Sequence, residues 1–140
     1  ILTELTAHTN TDLVFLIAKW FVFWAGGVRL FIAGIRQTLN PAFTAVDIFG
    51  IKAPEAQKIV REVGFANLAM GLLGLASLVM PAWLVPAALV SGLYYGFAGL
   101  GHVRNASRTA NETIALVSDL AIAVVLLAAA VALLVRGGSL

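Results

Sequence analysis

Eight polar residues lie in or beside long apolar runs and carry the chemistry open to this sequence: Arg29, Arg36, Glu62, Asn67, Tyr95, His102, Glu112 and Asp119. Arg29 and Arg36 are seven positions apart, as are Glu112 and Asp119. On helices each such pair shares a face and is separated by about 10 Å of rise. If the two segments run antiparallel, Arg29 falls level with Asp119 and Arg36 with Glu112, so two cation–anion pairs can form. A charge left alone at membrane depth costs at least ~2.5 kcal/mol on insertion scales, which makes pairing the expected solution. Such pairs serve either to fix helix register or to build a polar pocket or proton path opening to one side.

His102 follows Ser91, Tyr95 and Ala98 on one helical face and arrives near the level of Glu62 and Glu112. A histidine there can relay protons or ligate a metal or haem. No partner histidine accompanies it, so an interfacial hydrogen bond is the expectation and no metal site is assigned. His8 lies apart, in the polar lead-in. Glu62 follows Lys58 by four positions, a local helix-surface pair, and is turned away from Asn67. Asn67 is expected to hydrogen-bond across helices, and Ser118 to bond back to its own helix backbone. The sequence holds no cysteine, nucleophile elbow, zinc-binding His–Glu motif, phosphate-cradling loop or dinucleotide fingerprint. No catalytic residue is therefore assigned, and the chain is not expected to be an enzyme.

The elements that must position these residues are membrane spans. The 140 residues are 61% hydrophobic and 11% charged, against about a quarter charged in an ordinary globular chain. Mean hydropathy is +0.97. The net charge of +2 is small and no basic run interleaves with aromatics, so no nucleic-acid partner is expected. One transmembrane domain is expected over residues 1–140, with spans at about 13–35, 55–80, 83–103 and 112–136. Short connections make neighbours antiparallel, giving an all-α, up-down four-helix bundle. Between the first two spans, Asn40-Pro41 breaks the chain, and PAFTAVDIFG reads as a short interfacial helix ended by Gly50. Thr109 to Glu112 reads as a capping box opening the last span. Thr9, Thr11 or Asp12 is expected to cap the first. The start at Ile1 rather than Met points to a preceding piece.

Two glycine stripes complete the pattern. Gly64, Asn67, Gly71 and Gly74 line one face of the second span, and Gly92, Gly96 and Gly99 one face of the third. Such stripes let a neighbouring helix approach closely. Trp20 and Trp24, near Lys19, fit an interfacial aromatic belt. Arg36, Lys52, Lys58, Arg61, Arg104 and Arg108 flank the 1–2 and 3–4 connections, whereas only Lys19 and Arg136 lie at the opposite face. The positive-inside rule then puts both connections in the cytoplasm and both termini outside.

The motif EVGFANLAMG (62–71), with Phe49-Gly50, Gly101-His102 and Asn111 through Ser118-Asp119, resembles a family of uncharacterised bacterial inner-membrane proteins built on a domain of unknown function. The likeness covers roughly residues 20–135. It departs at the start of the second span, where a Ser-Pro-aromatic-Gln run is replaced by Ala53-Pro54-Glu55-Ala56-Gln57. More loosely, GGVRLFIAGIRQTLNPAF (26–43) is similar to the first helix of DoxX-type four-helix membrane proteins. That second likeness implies an accessory subunit of a quinone-linked oxidoreductase. Neither supplies a catalytic residue or a cofactor, although a quinone or lipid ligand stays open.

Three readings follow. The first is a non-catalytic accessory or assembly subunit, or a self-associating bundle, whose partners are the bilayer and other membrane subunits. The second is a small transporter or proton-handling protein using the Arg29, Asp119, Glu62 and His102 group. The third is an oxidoreductase membrane subunit that binds quinone near Tyr95 and His102, which requires an apolar cleft beside His102.

Overall fold

The computed structural model describes residues 13–103 and 109–137, and every regular element among them is helical. His8, the caps expected at Thr9, Thr11 or Asp12, and the basic segment 104–108 lie outside the described residues. Four helices are long and apolar enough to cross a membrane: α1 (Leu13–Leu39), α3 (Ala56–Ala76), α4 (Leu84–Val103) and α5 (Ala110–Gly137). The short α2 (Phe43–Ile48) lies between α1 and α3 and is π-helical. A 3-10 turn at Pro81–Trp83 leads into α4.

The boundaries follow local chemistry. α1 runs past Ile35 to Leu39, because the first residue that resists the helix is Asn40, held out of helical geometry at φ −134° in front of Pro41. Its Val22–Arg29 stretch is π-helical, a form the sequence reading did not anticipate. Gly50, at φ +68°, makes the left-handed turn that ends the α2 connection. α3 stops at Ala76 rather than Met80. The Ser77 hydroxyl donates to the Gly74 carbonyl at 2.7 Å and the chain turns before Pro81. α5 starts at Ala110 because Thr109 caps it, accepting from the Glu112 amide at 3.1 Å.

The helices form two tight pairs, α1 with α3 and α4 with α5, and the pairs meet each other less extensively. Lipid gives helices little reason to associate beyond packing and hydrogen bonds, so close packing has to hold each pair. In the α1–α3 pair backbone meets backbone. A Cβ added at Gly74 would lie 2.5 Å from the Gly27 nitrogen, and one at Gly71 would lie 2.5 Å from the Phe31 nitrogen. In the α4–α5 pair, Gly92 and Gly99 instead receive the side chains of Leu127 and Leu120, while Gly96 has ordinary clearance, 3.7 Å from the Ala123 Cβ.

Where the two pairs do close on each other, Val22, Leu84, Ala87, Ala88, Leu126 and Ala130 form a continuous core. Phe65 and Leu72 on α3, and Val117, Val124 and Val131 on α5, recur every seven residues and are exposed. In a membrane these stripes face lipid. Gly74→Ala should lower the unfolding midpoint of the solubilised protein by the equivalent of about 1–3 kcal/mol, the usual range for overpacking. Gly96→Ala should leave it nearly unchanged. Equal effects would refute backbone contact as the basis of the α1–α3 pair.

Candidate functional site

Arg29 closes the π-helical stretch of α1, and its position sets the site. Its Nη2 donates to the Asp119 Oδ1 at 2.8 Å and to the Ser118 hydroxyl at 3.0 Å, both on α5. Asp119 is buried, whereas the Arg29 side chain keeps 39% of its surface accessible. The guanidinium carbon also sits 5.0 Å from the centre of the Tyr95 ring, a cation–π arrangement. A π stretch takes backbone carbonyls off the ordinary four-residue ladder. The Tyr95 hydroxyl donates to one of them, the Ala25 carbonyl, at 2.9 Å. α1, α4 and α5 are thereby locked together at one level.

On α3, Asn67 is buried within the glycine face and its Nδ2 donates to the Gln37 Oε1 of α1 at 2.7 Å. The Tyr94 phenol lies beside the Asn67 amide, within electrostatic reach of Arg29 and Asp119. Nearer the ends of the helices, His102 Nδ1 and Glu112 Oε1 are 3.1 Å apart and both residues are buried. Phe49 stacks on the imidazole, with ring centres 5.7 Å apart and planes 19° from parallel.

These groups surround a cavity of about 410 Å³ between the two helix pairs. Arg29, Asp119, Tyr94, Tyr95 and Asn67 line its deep end. Ala33, Val60, Val63, Ala98 and Ala115 wall it, and the α2 connection with Thr44, Ala45, Ile48 and Phe49 roofs it. Small side chains from all four spanning helices face the gap without filling it. The roof is tied to the start of α5, where the Thr109 hydroxyl donates to the Ile48 carbonyl at 3.0 Å and Asn111 reaches the Asp47 carbonyl at 3.5 Å.

The structure brings Arg29, Asn67, Tyr95, His102 and Asp119 to this one cavity, with Glu112 behind His102. Arg36 and Glu62 stand elsewhere. Both are exposed, and Glu62 does not line the cavity. The expected Arg36–Glu112 pair is corrected: Arg36 lies over the Phe43 ring at 4.1 Å, while the Glu112 carboxylate is turned inward to His102. Continuation of α1 to Leu39 leaves Arg36 on the outer surface. Asn67 does bond across helices, and Ser118 does bond back, to the Ala115 carbonyl at 3.0 Å, while also accepting from Arg29. The sequence reading missed Gln37 and Tyr94, and named Phe49 only within a family motif. Gln37 follows Arg29 by eight positions, close to two helical turns, and that spacing was the available signal. Among the described residues no three His, Asp or Glu side chains converge as a metal site would require.

The chain belongs to the DUF6790 family, a family of unknown function, whose model matches residues 1–137. No curated protein and no solved structure matches it. The motifs of the second, third and fourth spans thus pointed to the right kind of family, a domain of unknown function. The looser likeness to DoxX-type proteins gains no support.

Two measurements probe the site's framework. Asp119→Asn and Arg29→Gln should each destabilise the solubilised protein, and the double variant should lose less than the two losses added. A coupling on the order of 0.5–3 kcal/mol is the expected size for contacting charges, and strict additivity would dismiss the pair as structural glue. Thr109→Val removes both the helix cap and the roof bond. It should cost about 1 kcal/mol and speed proteolysis within residues 40–55, whereas Thr109→Ser should keep most of both.

Proposed function

We propose that this family member is an integral membrane binding protein that holds one small lipid-soluble molecule in the cavity between its helix pairs. The observation that carries the reading is the cavity itself, about 410 Å³ with mostly apolar walls and polar groups gathered at one end. Ligand sites commonly occupy ~300–1,000 Å³ and share that division between apolar walls and a few placed polar groups. A quinone or a lipid fits the description, with Tyr95 at the deep end and His102 near the roof. Asp119 is engaged by Arg29, and His102 by Glu112. That engagement favours a fixed binding wall over a path in which protons hop between free groups.

The basic residues flanking the 1–2 and 3–4 connections support a cytoplasmic position for the roofed end, in a bacterial inner membrane. An accessory role in a larger complex is compatible with this reading, the pocket then serving a partner subunit.

Gentle solubilisation from the native membrane followed by native mass spectrometry tests the proposal. A small lipid-soluble molecule should accompany the wild-type chain. It should be lost from Ala98→Phe, which fills the cavity from α4, with little change in unfolding midpoint. A wild-type chain without such a molecule, or equal retention by Ala98→Phe, would overturn the reading. Larger subunits recovered in fixed ratio would establish the accessory setting.

A further inference from the structure

We infer that the cavity selects an uncharged lipid-soluble molecule bearing an oxygen acceptor, a carbonyl or hydroxyl oxygen, because the Arg29–Asp119 pair offers donors without net charge. The inference rests on the cavity being a ligand site and goes on to name what that site accepts.

The deep end holds several polar groups, most of them already committed. The Tyr95 hydroxyl is donated to Ala25 and the Asn67 Nδ2 to Gln37. The Asn67 Oδ1 has no hydrogen-bond partner, yet it is sealed off even from a water-sized approach. Arg29 differs from all of these. A guanidinium carries five N–H donors, the bonds to Asp119 and Ser118 both come from Nη2, and 39% of the side chain stays accessible. The remaining N–H groups are charged donors available to a ligand beside the neutral Tyr94 hydroxyl, and a hydrogen bond from a charged donor is stronger than a neutral one.

Charge decides which acceptor they can take. Asp119 neutralises the guanidinium from 2.8 Å. A carboxylate or phosphate head would add a second anion beside Asp119, leaving one negative charge uncompensated among aliphatic walls. An ammonium head would meet the guanidinium, and the carboxylate it would need is already paired with Arg29. A neutral oxygen accepts from Arg29 and leaves the balance at zero. The apolar walls supplied by Ala33, Val60, Val63, Ala98 and Ala115 take the rest of the molecule.

The test is equilibrium dialysis of the solubilised full chain against four naphthalenes of similar size, corrected for uptake by protein-free micelles. The probes are acetylnaphthalene, ethylnaphthalene, naphthoate and naphthylmethylammonium. On the wild-type chain acetylnaphthalene should bind at least about tenfold more tightly than the other three. Asp119→Asn, which leaves Arg29 unneutralised, should make naphthoate the tightest. Arg29→Gln should make the ammonium the tightest. The double variant Arg29→Gln with Asp119→Asn is neutral again and should prefer the ketone over both ions. Naphthoate matching the ketone on the wild type, or an order unmoved by both single substitutions, would overturn selection by the pair while leaving the cavity a ligand site. Failure of the wild type to bind any of the four would overturn the ligand-site reading itself.

Discussion

A guanidinium and a carboxylate placed inside an apolar bundle cannot be pulled apart cheaply, and that restriction organises the protein. Arg29 belongs to the α1–α3 pair and Asp119 to the α4–α5 pair, so their 2.8 Å contact spans the seam between the two halves. Separating the halves, or sliding one along the other, would leave two bare charges at membrane depth. The register of α1 against α5 is thereby set. Tyr95 reinforces it from α4, with its ring under the guanidinium and its hydroxyl on the Ala25 carbonyl. The π-helical stretch belongs to the same device. Regular α-helix from Val22 to Arg29 would close Ala25 into the ordinary ladder and turn Arg29 to another face.

Small residues do two opposite jobs in this bundle. At Gly27, Gly71 and Gly74 they bring backbones into direct contact, and no side chain could be added without moving a helix. At Ala33, Ala98 and Ala115 they face a neighbour too distant to touch, and a gap remains. The difference lies in what holds the helices at each place. Contact between glycine faces draws α1 onto α3, while the Arg29–Asp119 contact and the Tyr95 bond set the distance between the pairs at the deep end of the cavity. Protein interiors are ordinarily close-packed, and a void gives up the dispersion contacts of every atom lining it. A gap walled by all four spanning helices is the departure from that packing on which the proposed ligand site rests.

Much of this was legible in the sequence. Long apolar runs fix the number of spans. The Gly64, Asn67, Gly71 and Gly74 stripe marks the face on which α1 and α3 close, and all four residues are buried there. The matched seven-residue spacings made Arg29 and Asp119 partners, because antiparallel helices with equal rise bring equal offsets to equal depth. The same arithmetic failed for Arg36 and Glu112. It fixes depth but not rotation, and Arg36 lies on the outer surface near Phe43 while Glu112 turns toward His102. The π-helical stretch left no periodic mark, since Gly26-Gly27 reads equally well as a packing contact. The cavity was illegible for a different reason. A hollow is a mismatch among side chains on several helices and the connection over them, and no single stretch records it.

The walls of the cavity are not equally strong. The deep end is closed by an ion pair with a cation–π contact and a buried phenol hydrogen bond, each reinforcing the others across three helices. The roof is closed by the Thr109 bond to the Ile48 carbonyl, a long contact from Asn111, and the stack of Phe49 on His102. Neutral hydrogen bonds contribute about 0.5–1.5 kcal/mol net, and an aromatic contact is worth about as much again. The connection carrying Ile48 and Phe49 is also irregular, turning through a positive-φ glycine at Gly50. Opening the roof leaves the Arg29–Asp119 pair intact, whereas opening the deep end strands both charges. The path of lower resistance into the cavity runs past Phe49 and the His102–Glu112 pair that holds its stacking partner in place.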